Sequence, residues 1–187
     1  MSEEMLVCHC SPTLAGLKTG SLFSCPYSSQ KMIIKEIREF NQKLTQKGIR
    51  IIPVRISDKR MLVYVYRPEK LKEDFSDEKT QIILKCKGYD CTNLSQCIRR
   101  LIQKLQSDPD FPHEIGLFLG YPAEDVKGFI ENKAACSKCS GCWKVYGDEQ
   151  AARILFKKYK KCTEIYCRRW KSGVAVEQIT KSSLAVW

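Results

Sequence analysis

Three cysteines at a regular spacing give the strongest chemical signal in the sequence. Cys136, Cys139 and Cys142 form a C-x2-C-x2-C run, and two intervening residues allow a tight turn that lets thiolates converge on one metal ion or cluster. The fourth cysteine of a ferredoxin-type cluster run is absent after Cys142. We therefore predict a zinc or iron–sulfur site, or thiol redox chemistry at the same loop. Cys162 is the predicted remote fourth ligand, and Cys167, Cys8 and Cys10 are the other candidates. The alternative is a set of free thiols on a surface loop.

A second candidate site pairs Cys10 with His113. Ser11 and Pro12 predict a helix start directly after Cys10, where unpaired N–H groups and the helix dipole favour a thiolate. His113 precedes a predicted buried strand, so the pair has the layout of papain-like thiol enzymes. This layout predicts a thiol hydrolase or transferase with Cys10 as nucleophile and His113 as base. The alternative for His113 is a loop histidine that caps backbone groups. The candidates for a third, orienting group are Glu124, Asp125 and Asp148.

Positive charge is concentrated towards the C-terminus. The chain has a formal net charge of +11, and residues 133–171 contain eleven lysines and arginines against three acids. Such a segment can attract an anionic partner, and interleaved aromatic residues could stack on bases in a non-catalytic nucleic-acid-binding module. The alternative is a solvated helix face, whose buried stripe would be formed by Ile154, Leu155, Tyr159, Cys162 and Tyr166.

The composition predicts a protein of a reducing cytoplasm. No apolar run approaches the roughly 18 residues that a membrane span requires, and the opening residues MSEE lack the basic and apolar regions of a signal peptide. We therefore expect no membrane partner. In such a compartment the eleven cysteines are expected to be core residues, metal ligands or reactive thiols rather than disulfides.

Hydrophobic periodicity predicts an α+β fold. Helices are predicted over residues 29–47, 76–87, 93–106, 122–132 and 148–171, with a short helix closing the chain. Strands are predicted over 49–56 and 61–67, joined by a turn at 57–60, and over 114–120 and 142–146, with a loop at 107–112. We expect one domain over residues 1–187, with a small, mostly antiparallel sheet of about four strands flanked by helices and a basic helical segment from about residue 148.

Three dense motifs carry a resemblance to a known family. They are HCSPTLAGLK at residues 9–18, FPHEIGLFLGYP at 111–122 and CWKVYGD at 142–148. Together they resemble a family of clostridial and related anaerobic bacterial proteins catalogued only as a domain of unknown function. The resemblance implies an anaerobic bacterial cytoplasm. It supplies no activity, so no catalytic residue is carried over from it.

Overall fold

The computed structural model describes residues 1–57, 59–107 and 110–182. Contacts group the chain into two compact units. Unit 1 combines Met1–Glu69 with the segment that begins at Tyr159, and unit 2 is Lys70–Lys158. The single-domain assignment stays a prediction. The mixed helix and sheet content confirms the α+β class.

An antiparallel three-stranded sheet forms the centre of unit 1. Its strands are β1 (Gly20–Pro26), β2 (Arg50–Ile56) and β3 (Arg60–Tyr66), in the order β1-β3-β2. The β2–β3 hairpin confirms the prediction, although Asp58 of its turn lies outside the described residues. The sequence did not predict β1, because its glycine, serines and proline weaken the strand signal. Its alternate residues Ser21, Phe23 and Cys25 are nevertheless buried.

Helices α1 (Glu3–Leu14) and α2 (Gln30–Leu44) complete the first part of unit 1. Helix α2 buries an apolar stripe formed by Ile33, Ile37, Phe40 and Leu44. A 3₁₀ turn follows at Thr45–Lys47, and Gly48 ends it with a left-handed φ of 76°. The core of unit 1 also receives residues from the end of the chain, including Val176 and Ile179.

The predicted helix start at Ser11 and Pro12 is wrong. Helix α1 begins eight residues before Ser11, at Glu3, because the Ser2 side chain accepts the Met5 N–H and acidic residues occupy the first turn. Pro12 is tolerated close to the helix end, and the Ser11 hydroxyl donates to the Val7 carbonyl. Cys10 therefore lies in the third turn of a helix and not beside a helix N-terminus.

A buried arginine joins the separate segments of unit 1. The Arg67 guanidinium donates to the carbonyls of Thr13 (2.7 Å) and Leu14 (2.7 Å), at the C-terminal end of α1. It also donates to the carbonyls of Lys47 (3.1 Å) and Lys181 (2.8 Å). Carbonyls at a helix end lack partners within the helix. The Thr13 and Leu14 carbonyls also accept the backbone N–H groups of Gly16 and Lys181, so Arg67 adds a second hydrogen bond to each.

Unit 2 is built mainly from helices. After α3 (Pro68–Asp74), which starts in unit 1, it contains α4 (Glu78–Cys86), α5 (Leu94–Ser107), α6 (Ile115–Phe118) and α7 (Ala123–Glu131). A two-stranded antiparallel ribbon follows, formed by β4 (Cys139–Ser140) and β5 (Lys144–Val145). Helices α4 and α7 and strand β5 lie inside predicted elements, and α5 ends one residue beyond the predicted helix 93–106. The predicted loop at 107–112 includes Asp108 and Pro109, which lie outside the described residues.

The predicted strand at 114–120 is wrong. These residues form the short helix α6 and a tight turn, with Gly120 in a left-handed conformation and the Tyr121 N–H donating to the Gly116 carbonyl at 2.9 Å. A short apolar run buried on all sides has no periodicity to separate strand from helix. Two glycines in the run favour the turn.

The basic helix α8 (Glu149–Lys171) and the short helix α9 (Val176–Ile179) end the described fold. Helix α8 confirms the predicted bounds, and Gly173, with a φ of 89°, follows its last turn. Residues up to Lys158 pack in unit 2 and those from Tyr159 in unit 1. Within the described ranges, no helix has both the length and the apolar character needed to cross a bilayer.

Candidate functional site

Unit 2 contains an aromatic-lined cleft of about 460 Å³. Two chain segments supply most of its walls: the residues around α6 and α7, and the β4–β5 ribbon. The lining residues are Phe111, His113, Ile115, Gly116, Leu119, Tyr121, Asp125, Val126, Phe129, Ser140, Cys142, Trp143 and Lys144. Two of the three dense motifs, at 111–122 and 142–148, thus meet in one cleft.

Asp125 fixes one wall of the cleft. Its buried carboxylate accepts the indole N–H of Trp143 at 2.7 Å. The other carboxylate oxygen accepts the backbone N–H groups of Tyr146 (2.7 Å) and Gly147 (2.8 Å). A carboxylate with three such donors is well satisfied in a buried position. Asp125 therefore positions Trp143 and the end of the ribbon. The sequence analysis named Asp125 as a candidate to orient the Cys10–His113 pair, but its carboxylate accepts hydrogen bonds from Trp143, Tyr146 and Gly147 instead.

Stacked rings make this wall rigid. Trp143 stacks on Tyr121 with ring centroids 4.6 Å apart, and Trp143 and Phe156 of α8 meet in a T-shaped contact with ring centroids 4.6 Å apart. Gly141 permits the close approach of Phe156, because a Cβ atom there would lie 2.3 Å from the ring. Burial raises the pKa of Tyr121 to about 12, and the neighbouring Cys142 contributes in the same direction. Tyr121 is therefore a neutral phenol at physiological pH.

Gly116 allows the other wall to close tightly. A Cβ atom at this position would lie 2.7 Å from the Val126 Cγ2 atom and 3.1 Å from the Tyr121 ring. Helix α6 can therefore pack directly against α7 only because residue 116 has no side chain. This packing places Ile115 and Leu119 in the cleft wall.

Three groups in the cleft could take part in chemistry: the Cys142 thiol, the His113 imidazole and the Lys144 ammonium. Cys142 and His113 are exposed. The His113 ring meets Phe129 edge-on, with centroids 5.0 Å apart. The Lys144 ammonium donates to the Ala134 carbonyl, which ties the cleft to the preceding loop. A thiol and an imidazole on one apolar cleft can serve nucleophilic or proton-transfer chemistry on a bound molecule.

The cysteine loop leads into the same ribbon. Cys136 is exposed with a left-handed φ of 57°, Cys139 is half-buried in β4, and Cys142 is exposed in the ribbon turn. Among the residues that the structure describes, no group of three or more histidine, cysteine, aspartate or glutamate side chains is arranged to hold a metal ion. Binding at this loop therefore requires its thiols to rearrange, and the metal site stays a prediction.

The other two predicted cysteines are buried in unit 1. Cys10 has no exposed surface, and burial raises the pKa of its thiol, an effect that the charge of Lys18 and a hydrogen bond with Ser21 offset only in part. Cys162 lies buried on α8, and burial raises its pKa to about 11. Both thiols are therefore protonated at neutral pH. On balance, burial therefore disfavours a thiolate at both positions.

The basic residues of α8 lie on its exposed side. All seven of its lysines and arginines from residue 157 onwards are exposed: Lys157, Lys158, Lys160, Lys161, Arg168, Arg169 and Lys171. Ala152, Tyr159 and Cys162 are buried. Ile154, which was expected in the buried stripe, is 57% exposed. The basic side chains therefore lie on a solvent-exposed helix face. Of the residues expected in the buried stripe, Tyr159 and Cys162 are buried, and Leu155 and Tyr166 are half-buried.

Sequence reasoning named His113 and Cys142 but not the aromatic residues that join them. Tyr121 and Trp143 lie in the two motifs and Phe129 lies between them, and none of the three carried a separate chemical signal. Aromatic residues in a sequence usually indicate core packing, and only the folded arrangement shows that one face of each lines a cleft. The only sequence signal for the cleft was that the two motifs at 111–122 and 142–148, which carry the family resemblance, supply most of its walls.

The fold and the cleft define an α+β protein with an aromatic-lined cleft that carries an exposed thiol. The chain belongs to the family described as "Protein of unknown function (DUF3793)", which matches residues 6–180. This membership confirms the resemblance to a domain of unknown function. Comparison with curated proteins and with solved structures gave no match.

Proposed function

We propose that this protein binds a small, largely apolar molecule in the unit 2 cleft and presents the Cys142 thiol to it. The observation that carries the proposal is the composition of the cleft: apolar and aromatic walls with a thiol and an imidazole among them. Ligand sites in proteins typically have volumes of about 300 to 1,000 Å³ and combine such walls with a few polar groups. The cleft volume of about 460 Å³ falls in this range.

The wall is suited to a planar or aromatic ligand. Asp125 and the ring contacts hold Trp143 and Tyr121 in fixed orientations, so binding costs little side-chain ordering. An aromatic ligand can add to such a ring stack by offset or edge-on contacts. The Cys142 thiol and the His113 imidazole can then act on a polar group of the same molecule.

Binding is tested with the uncharged fluorescent probe N-phenyl-1-naphthylamine. We expect saturable binding to the full chain, and Phe111→Ala should weaken it by about fivefold, because part of an aromatic contact is lost. Phe111 is 41% exposed, so its truncation should leave the fold intact. Ile165→Ala is the matched control, since Ile165 is 43% exposed and does not line the cleft.

The thiol is tested by alkylation with N-ethylmaleimide and peptide mass spectrometry. Saturating probe should slow modification of Cys142 severalfold and leave Cys136 unchanged, because Cys136 is exposed in the same loop but does not line the cleft. Equal modification rates of Cys142 with and without probe, or an equal loss of affinity in Phe111→Ala and Ile165→Ala, would refute the proposed site.

Metal or cluster binding by Cys136, Cys139 and Cys142 is a second proposal. It is supported by the spacing of the three thiols and by their position in one short segment around β4. A zinc ion or an iron–sulfur cluster would be held by thiolates of this loop. Cys162 as the fourth ligand stays a prediction.

A third proposal assigns an anionic partner to α8. It is supported by the exposure of all seven basic side chains from Lys157 to Lys171. Cations spaced along one helix can contact successive phosphates or carboxylates of a polyanion. Such binding requires no catalysis by this chain.

A further inference from the structure

Two thiols from distant parts of the sequence meet in unit 1. Cys8 is exposed on α1, and Cys167 is half-buried on the last part of α8. Their Sγ atoms are 3.7 Å apart although the residues are 159 positions apart in the chain. Both are free thiols. Neither thiol lines the cleft, and neither is part of the C-x2-C-x2-C loop.

The two sulfur atoms are within reach of a covalent bond. A disulfide requires an S–S distance of about 2.0 Å, so the two sulfur atoms need to approach each other by roughly 1.7 Å. Residues around Cys167 are anchored, because Tyr166, Cys167 and Trp170 pack against the core of unit 1. The pair is therefore held together by the fold and not by chance encounter of mobile side chains.

The surroundings of the two thiols give them different reactivities. Burial raises the pKa of the Cys167 thiol, and the hydrogen bond and charge of Cys8 raise it further, against the opposing charge of Lys171. Cys8 is exposed and reaches solvent directly. A soluble oxidant therefore meets Cys8 first, and Cys167 is placed to attack the product.

We propose that Cys8 and Cys167 form a reversible dithiol–disulfide couple that reacts with small-molecule disulfides. The Cys8 thiolate attacks one sulfur of the small disulfide, forming a mixed disulfide and releasing one thiol. Cys167 then loses its proton and attacks the Cys8 sulfur, which forms the Cys8–Cys167 bond and releases the second thiol. Two electrons pass from the protein to the small disulfide, which is reduced to two thiols.

The bond cross-links the first helix of unit 1 to the last part of α8. It closes a loop of about 160 residues, and a cross-link over so long a loop removes much conformational freedom from the unfolded chain. The redox state of the couple therefore changes the free energy of unfolding of the chain.

The couple is tested by incubating the full chain with glutathione disulfide. Non-reducing digestion and mass spectrometry should detect a Cys8–Cys167 peptide, and dithiothreitol should remove it. The thermal unfolding midpoint of the oxidised protein should rise by roughly 5 to 10 °C. These measurements on the unmodified sequence do not depend on the folding of any variant.

Three variants separate the roles of the thiols. Cys167→Ser should accumulate a mixed disulfide on Cys8, because the resolving thiol is absent, and Cys8→Ser should lose the cross-link. Cys86→Ser is the control, since Cys86 is an exposed thiol of unit 2, and it should retain the Cys8–Cys167 peptide. A lasting mixed disulfide on Cys8 of the unmodified sequence, or absence of the cross-linked peptide, would overturn the proposal.

Discussion

At the scale of single residues, Glu114 shows how unit 2 holds a charge inside its core. The carboxylate accepts hydrogen bonds from the Lys104 ammonium at 2.7 Å and from the Tyr89 hydroxyl at 3.0 Å. Lys104 also lies over the Tyr89 ring, 4.6 Å from its centroid. Glu114 directly follows His113 and precedes α6, so this cluster supports one wall of the cleft.

The Glu114 cluster predicts loss of stability in acid. Burial alone would raise the pKa of Glu114, but the hydrogen bond and charge of Lys104, with the donors from Tyr89 and from the Glu114 backbone, hold it below its ordinary value. A group with a lowered folded pKa stabilises the fold above its unfolded pKa of about 4.3, and this contribution is lost as the pH falls through the folded value. We expect the free energy of unfolding to decrease over that acidic range.

A pair of matched variants isolates this contribution. Glu114→Gln should lower the free energy of unfolding by about 3 kcal/mol at pH 7, because Lys104 keeps its charge in a largely buried position. It should also flatten the acid limb in urea unfolding measured between pH 3 and 7. Glu131→Gln, in the exposed pair with Lys127, should change stability by less than about 0.5 kcal/mol. Similar effects of the two substitutions would contradict the assigned role of Glu114.

At the scale of elements, the metal proposal for the cysteine loop is tested by measuring the metal content of the purified protein. If the loop binds zinc or an iron–sulfur cluster, protein purified without oxygen should contain zinc or iron in a constant ratio to the chain. Cys139→Ser should remove most of this metal, and Cys86→Ser should not, because Cys86 lies on α4. Elemental analysis by mass spectrometry provides the readout. Zinc and iron both at trace level in the unsubstituted protein would end the metal proposal.

The elements also show which sequence signals were sufficient. Helices α2 and α5 alternate apolar and polar residues with helical period, and the β2–β3 hairpin is rich in β-branched residues, so all were predicted close to their bounds. The start of helix α1 was predicted wrongly because the sequence offers two possible N-cap residues, Ser2 and Ser11. The helix begins after Ser2. Strand β1 has little strand propensity of its own and forms by pairing with β3 along its whole length.

The cleft could be predicted only in part. His113 and Cys142 were named from their residue types, whereas their shared cleft depends on packing between α6, α7 and the ribbon. Gly116, Gly128 and Gly141 permit contacts that no local pattern specifies, because each would bring a Cβ atom within 3 Å of another residue. Tertiary packing of this kind leaves no periodic signal in one sequence.

At the scale of the whole molecule, the net charge of +11 predicts salt-dependent association with polyanions. We expect single-stranded DNA to bind in a filter assay with an affinity that falls as salt increases, because bound counterions are released. The double variant Lys160→Glu, Lys161→Glu should weaken binding more than Lys31→Glu, Arg38→Glu, which makes the same charge change on α2. Affinity that is independent of salt, or equal in both variants, would exclude α8 as the binding surface.

The order of the two units along the chain has a consequence for synthesis on the ribosome. Residues 1–69 emerge first, but Val176, Ile179 and the Lys181 carbonyl bound by Arg67 emerge only after all of unit 2. At about 5 to 20 residues per second, translating the intervening 89 residues takes roughly 4 to 18 s. During this interval the nascent amino-terminal segment exposes apolar surface that chaperones recognise, while the contiguous unit 2 has all its residues available to fold.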